Sequence, residues 1–268
     1  MDKATVVGLV MAWVALVGSA LWEGTHLSAL INAPAFMLIV GGTLGVTMMS
    51  FPLKTTLNIG KVLRNAFFEK HMDLSETIRT LVRFSERARR EGLLALESEV
   101  AKIQDEFLQK GIQLVADGFD MQVTRSILEN DLDHIEERHH EGEGFFSTMG
   151  GYAPTLGIIG TVLGLVHALG QLEDPSKMGA AIAGAFIATF YGVSFANLIF
   201  LPLGAKLKAR NAEESLVRRA MIEGIISIEA GDNPRITEEK LKVYLSPEQR
   251  AGVQREKGAA KAEAPSAT

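Results

Sequence analysis

Two threonines, Thr161 and Thr189, lie deep within stretches of chain that carry no Asp, Glu, Lys or Arg. In such surroundings a hydroxyl either bonds back to a carbonyl of its own helix or lends an oxygen to a passing cation. The first lies in GGYAPTLGIIGTVLGLVHALG, residues 150–170, which is apolar enough for lipid yet holds a proline and repeated glycines, residues that weaken helices. Other chemistry is poorly represented. Gly60-Lys61 is followed by Val62 and lacks the upstream glycine loop of a nucleotide site. The run His134-Ile135-Glu136-Glu137-Arg138-His139-His140 approaches a zinc-peptidase pattern, but Arg138 stands where a second ligand is needed. That cluster reads better as a solvated acidic helix end, and a membrane enzyme built on it is the weakest alternative. No Ser/His/Asp grouping stands out, and the absence of cysteine excludes disulfides, iron-sulfur clusters and thiolate zinc sites. No covalent catalysis, cofactor, metal site or nucleic-acid partner is expected.

The elements that must position the hydroxyls are membrane helices. Stretches free of Asp, Glu, Lys and Arg run from Ala4 to Trp22, Gly24 to Leu53, Gly144 to Leu172 and Met178 to Ala205. Each supplies the roughly 20 residues that cross about 30 Å of hydrocarbon. The expected fold is an all-α membrane protein with four transmembrane helices and a large helical cytoplasmic loop between the second and third. A cleaved leader is disfavoured because no small-x-small site follows Trp22 directly. Of the 27 basic residues, 13 lie between Leu53 and Phe146 and 12 from Leu203 onward. The positive-inside bias therefore places both termini and the large loop in the cytoplasm of an inner-membrane, multi-pass protein. Trp22 reads as an interface anchor.

The chain divides into a first membrane hairpin (1–53), a cytoplasmic helical region (54–143), a second hairpin (144–205), a C-terminal helical region (206–257) and a disordered tail (258–268). In the loop, Asp73-Leu74-Ser75-Glu76 resembles a capping box, and Leu74, Ile78, Leu81, Leu93, Leu96, Val100, Ile103 and Phe107 recur near helical spacing. Gly92, Gly111 and Gly118 read as punctuation, giving a helical hairpin or small bundle.

Small residues recur every fourth position in the last span, at Ala180, Gly184, Ala188, Gly192 and Ala196, and again at Gly160, Gly164 and Ala168 in the third. Such faces let helix backbones approach closely in lipid. They suit packing of the two helices on each other, and also a helix ring that surrounds something. Thr161 lies 17 residues in from Gly144 and Thr189 lies 16 residues in from Ala205, so the hydroxyls share a depth near mid-membrane. Pro154 and Pro202 are nearer the cytoplasmic side, and each removes a backbone donor and favours a kink. His167 falls toward the outer end, as an interfacial histidine. A proton relay ordinarily needs a carboxylate or imidazole at depth, and these spans hold no carboxylate. The chain thus reads as half of an ion-conducting device whose acid comes from a partner.

With those features in view, the sequence resembles the MotA/PomA family of flagellar stator subunits, within the wider group that includes ExbB and TolQ. The resemblance covers about Met1 to Leu245 and rests on ARREGLLALE (Ala88 to Glu97), GGYAPTLGIIGTVLGLV (Gly150 to Val166) and AFIATFYGVSFANLIFLPLGAKL (Ala185 to Leu207). Two membrane hairpins around one large inner loop match MotA better than three-span ExbB or TolQ. A proton-driven energiser of an envelope machine is the alternative. The resemblance implies a ring, pentameric in the family, around a MotB-like dimer that brings the membrane aspartate and grips peptidoglycan. Ion passage would turn or reshape the ring against the rotor protein FliG. Carried over residue by residue, Thr161 and Thr189 match the ion path, and Pro154 and Pro202 the torque-coupling prolines. Arg89, Arg90 and Glu97 match the rotor-facing charges, and Glu99 matches less closely. Arg83, Arg90 and Glu97, spaced by seven, share a helical stripe. Sodium-driven members carry two threonines where this chain has Ala188-Thr189, so the resemblance implies a proton, with sodium or a divalent cation left open.

Overall fold

In the computed structural model, residues 3–68 and 72–251 are described. The expected tail, 258–268, and the end of the 206–257 region lie outside them. Among the described residues every regular element is helical. In chain order these are α1 (Lys3–Trp22), α2 (Ala33–Ser50), α3 (Leu53–Phe68), α4 (Leu74–Glu91), α5 (Glu106–Ala116), α6 (Met121–Leu169), α7 (Pro175–Glu229) and α8 (Pro234–Lys242). Four of them, α1, α2, α6 and α7, carry stretches long and apolar enough to span a membrane. The protein is an all-α, four-span membrane protein.

The first of two compact units takes in the described residues of 3–68 and 138–210. Glycine holds its centre together. A Cβ built on Gly192 of α7 would lie 2.5 Å from the Ala153 carbonyl oxygen, and one on Gly164 of α6 would lie 2.5 Å from the Ala185 Cβ. Gly160 meets the Ala188 Cβ in the same way at 2.6 Å. Much of the small-residue pattern is therefore spent on seating α6 against α7, while Gly184 faces the Asn32 side chain at the start of α2. Phe145, Phe146, Met149, Phe200 and Leu207 form a buried apolar cluster with Ile39. Two wide π-turns interrupt regular winding, at Met37–Gly41 in α2 and Ala196–Phe200 in α7.

The second unit takes in the described residues of 72–137 and 211–251. Its core joins Leu81, Phe84, Leu96 and Ile112 from the loop to Ile225, Ile228 and Leu241 from the C-terminal region, so loop and C-terminal segment fold as one body. Asp73 caps α4, accepting from the Ser75 and Glu76 amides. Gly92 and Gly118 adopt φ of +88° and +77°, a backbone other residues rarely take. Gly111 departs from the reading as punctuation: it sits inside α5, where a Cβ would lie 2.3 Å from Ile225 Cδ1. A close approach, and not a turn, requires that glycine. A polar knot fastens α8: Ser227 bonds both Asp232 Oδ2 (2.6 Å) and Thr237 (2.9 Å), and Lys240 donates to Asp232 at 2.7 Å. Lys240, with Ser227, holds the Asp232 carboxyl below its ordinary range.

Overpacking a close contact typically costs about 1–3 kcal/mol, and a backbone carbonyl cannot swing aside as a side-chain tip can. Gly192→Val is therefore expected to deplete the protein from membrane fractions on quantitative immunoblots. Gly179→Val, where nothing lies within 4 Å of a built Cβ, should accumulate normally.

Candidate functional site

Helices α6 and α7 bring Thr161 and Thr189 into direct contact, hydroxyl to hydroxyl. Thr161 Oγ1 lies 3.1 Å from the Gly157 carbonyl, one turn back in its own helix, and 3.1 Å from the Ala185 carbonyl of α7. Thr189 Oγ1 lies 3.1 Å from the same Gly157 carbonyl. Gly157 permits this, since a Cβ there would come within 3.0 Å of the Thr189 Cα. Two hydroxyl protons serve the mutual bond and three carbonyl contacts, so one hydroxyl donates to the other, which donates to a carbonyl. That short chain can run in either direction, and reversing it needs only rotation of two O–H bonds. Both side chains are half-buried. Ala188 is buried against Gly160, so the position beside Thr189 offers a methyl group and no oxygen.

The prolines flank a second close approach. Pro154 lies inside α6, leaving the Gly150 carbonyl without its usual helical donor. Leu201 packs at Gly150, where a Cβ would lie 2.4 Å from its Cδ2. Pro202 follows directly, just past the π-turn at Ala196–Phe200. Each proline thus borders the contact that the other helix makes.

The charged residues lie in the second unit. Arg89 and Arg90 occupy the last turn of α4, and Glu97 starts the short helical turn Glu97–Val100; all three are exposed. Glu99 differs, forming an ion pair with Arg87 and accepting from Lys102 at 2.9 Å. Lys102, with Arg87 on the other side, lowers the Glu99 carboxyl below its ordinary range. Arg87 also binds Glu91 at 3.0 Å. These contacts tie the segment after Gly92 back onto α4, so Glu99 shapes the surface on which Glu97 stands. Exposed Arg83 lies over the face of Phe84 on the same helix, 5.6 Å from its ring centre.

The histidines fall apart from these groups. His167 is exposed and lies 3.0 Å from Gln171. His134 lies 3.8 Å from Glu137, and His140 lies 3.2 Å from Glu143. Among the described residues no group of three His, Asp or Glu side chains is arranged to hold a metal.

Three groups were not marked by the sequence reading. Tyr191 in α7 donates to the Leu30 carbonyl and accepts from the Asn32 amide (3.2 Å), bolting the last span to the turn before α2. A lone tyrosine in an apolar span was the available signal, since its hydroxyl needs a partner. Thr43 and Thr47, one turn apart in α2, are fully buried, and neither hydroxyl has a partner.

A four-span helical protein with paired mid-span hydroxyls and no acid in its spans defines a class of channel-forming subunit. Residues 99–220 match the model of the MotA/TolQ/ExbB proton channel family, and residues 6–92 match the motility protein A N-terminal model. Motility protein A of Bacillus subtilis is 36% identical over 246 residues, 91% of each chain. Chemotaxis protein PomA of Vibrio alginolyticus is 36% identical over 251 residues, 94% of this chain and 98% of that one. The flagellar MotAB stator complex of Bacillus subtilis superposes with a TM-score of 0.89 at 34% identity, covering 94% of this chain and 99% of that chain. The C. jejuni MotAB structure gives 0.88 at 33% identity, covering 92% and 97%. This chain belongs to the MotA/TolQ/ExbB proton channel family, on its motility protein A branch.

A hydrogen bond is worth about 1 kcal/mol net, so Thr161→Val should leave the α6–α7 pair assembled while deleting the hydroxyl chain. Ion flux through the assembled complex is expected to fall well beyond any loss of subunit on immunoblots, with Thr161→Ser restoring most of it. In the second unit, Glu99→Gln should weaken the link between α4 and the segment after Gly92, read as faster amide exchange over residues 93–100. Glu97→Gln should not. Because the folded Glu99 carboxyl titrates below its ordinary value near 4.5, its contribution is complete above that pH and is lost as pH falls through the lowered value.

Proposed function

We propose that this chain is the membrane subunit of a flagellar motor stator, which forms an ion channel with a MotB-like partner and turns ion flow into rotor torque. The observation that carries the reading is the Thr161–Thr189 hydroxyl pair at the α6–α7 seam of a chain whose spans hold no carboxylate. Such a pathway can pass a cation along hydroxyls but needs a protonatable acid from another polypeptide, and the superposed stator complexes contain a second subunit type, MotB. The match to the motility protein A N-terminal model, alongside the shared channel model, favours the motor over an ExbB/TolQ-type energiser. The membrane is the inner one, with both termini in the cytoplasm, as the distribution of basic residues indicates.

The subunits assemble as a ring, a pentamer, around the partner's membrane helices. A proton is the transported ion, because the side chain beside Thr189 is the methyl of Ala188. Sodium would be better served by a second hydroxyl there, replacing its hydration water. Pro154 and Pro202, bordering the Gly150–Leu201 contact, couple the partner's change of charge to helix bending. Exposed Arg89, Arg90 and Glu97 present the charges that meet FliG, and Glu99 holds the turn beneath them. Exposed pairs contribute only about 0–1 kcal/mol each, which makes a rotor contact weak, fast and salt-sensitive. The function needs no covalent catalysis and no cofactor.

Replacing Arg90 by Glu and Glu97 by Lys should abolish or strongly slow swimming while membrane levels of the subunit and its partner stay normal. Unchanged swimming would reject the rotor contact. Swimming speed measured while proton, sodium and divalent gradients are varied one at a time should follow the proton gradient. Reconstituted alone in liposomes, the subunit should carry no selective current.

A further inference from the structure

Helix α3 uses its two faces unequally. One is seated on the membrane unit: Ile59, Val62 and Leu63 pack against the cluster around Phe145, and Thr55 donates to Glu141 Oε2 at 2.8 Å. Val62 occupies the space beside Gly142, where a Cβ would lie 2.7 Å from its Cγ1. Thr55 and Val62 are seven residues apart, about 10 Å along α3, yet they touch adjacent residues of α6. Two helices running side by side would place those contacts about two turns apart on both. The helix α3 therefore lies across α6.

The crossing sits at a definite level. Gly142 comes two residues before the charge-free stretch of α6 that begins at Gly144, and α3 starts immediately after α2 ends, across an extended Phe51 and Pro52. A helix laid across a spanning helix at the end of its apolar length lies along the bilayer surface.

The other face turns away from the protein. Leu53 and Leu57, one turn apart, are 64% and 75% exposed. Lys54, Lys61 and Arg64 are exposed beside them, and α3 contains no Asp or Glu. Of the nearby acids of α6, Glu141 is held on the seated face of α3 by Thr55, and Glu143 lies against His140 (3.2 Å) and Lys208 (3.8 Å). We propose that this outer face of α3 binds anionic phospholipid of the inner leaflet, with Leu53 and Leu57 among the upper acyl chains and Lys54, Lys61 and Arg64 on headgroup phosphates. Exposed leucines alone would accept any lipid. Three cations with no counter-charge on their own helix add the preference for anionic headgroups, since basic residues at a membrane surface attract such lipids and apolar neighbours hold them there. The surface is independent of the ion pathway, and its occupancy does not depend on the motor reading.

The chain has no cysteine, so Leu57→Cys gives a single attachment point for an environment-sensitive dye on the full chain, labelled before its partner is added. The labelled protein is placed in zwitterionic bilayers containing a minor fraction of either dibrominated phosphatidylglycerol or dibrominated phosphatidylcholine, and quenching is compared. Quenching by the glycerol lipid should be several-fold stronger at low salt. That advantage should shrink at high salt and vanish when Lys54, Lys61 and Arg64 are all changed to Gln, with Lys61→Gln alone giving a partial loss. Equal quenching by both lipids would overturn the anionic preference. Absence of quenching by either would show that protein, such as a second copy of the chain, covers the face, and would overturn the proposal as well.

Discussion

The membrane unit depends on how closely the backbones of α6 and α7 can approach. Inside lipid there is little hydrophobic gain from putting one apolar helix against another, so the association must come from packing and polar contact at short range. Gly157, Gly160, Gly164 and Gly192 supply that range by having no side chain where the facing helix passes. The hydroxyl pair follows from it. Thr161 reaches the Ala185 carbonyl, and Thr189 reaches the Gly157 carbonyl, only because no Cβ holds the helices apart. Glycines that weaken an isolated helix thus stabilise the pair and create the polar seam in one step.

The second unit is held together differently. Its centre is an ordinary apolar core to which the loop helices and the C-terminal segment both contribute residues. Polar fastenings then set the details: the Asp232 knot holds α8, and the Arg87–Glu99–Lys102 group holds the turn after Gly92. Exposed Arg89, Arg90 and Glu97 stand beside charges already engaged within the chain. The distinction matters because Glu97 and Glu99 are two residues apart and look alike as letters.

Much of this could be read from residue order alone. Charge-free runs about 20 residues long can hardly be anything but spans, and counting inward from their ends put Thr161 and Thr189 at one depth. Whether the two hydroxyls touch depends on the rotation of α6 about its axis relative to α7, which depth does not specify. The ambiguity at Gly111 is of another kind, because glycine marks both turns and close approaches, and only Ile225, 114 positions away, distinguishes them. Tyr191 and its partners Leu30 and Asn32 are separated by about 160 positions. The affiliation of α3 with the spans was likewise hidden, since its three basic residues make it look like part of the water-facing loop.

The wide turn at Ala196–Phe200 carries a consequence for sequence length. A π-turn holds one residue more than regular α-helical winding needs, so α7 contains a built-in insertion between its glycine-rich half and the part that begins at Leu201. Deleting a single residue there would restore regular winding and leave the later part of α7 facing nearly as it does now, whereas deleting one from regular winding elsewhere in α7 would rotate everything after it by about 100°. Only the second kind of deletion would take Leu201 away from Gly150 and Gly204 away from Ser147. A one-residue gap among natural variants should therefore be tolerated at Ala196–Phe200 far better than anywhere in the regular winding of α7.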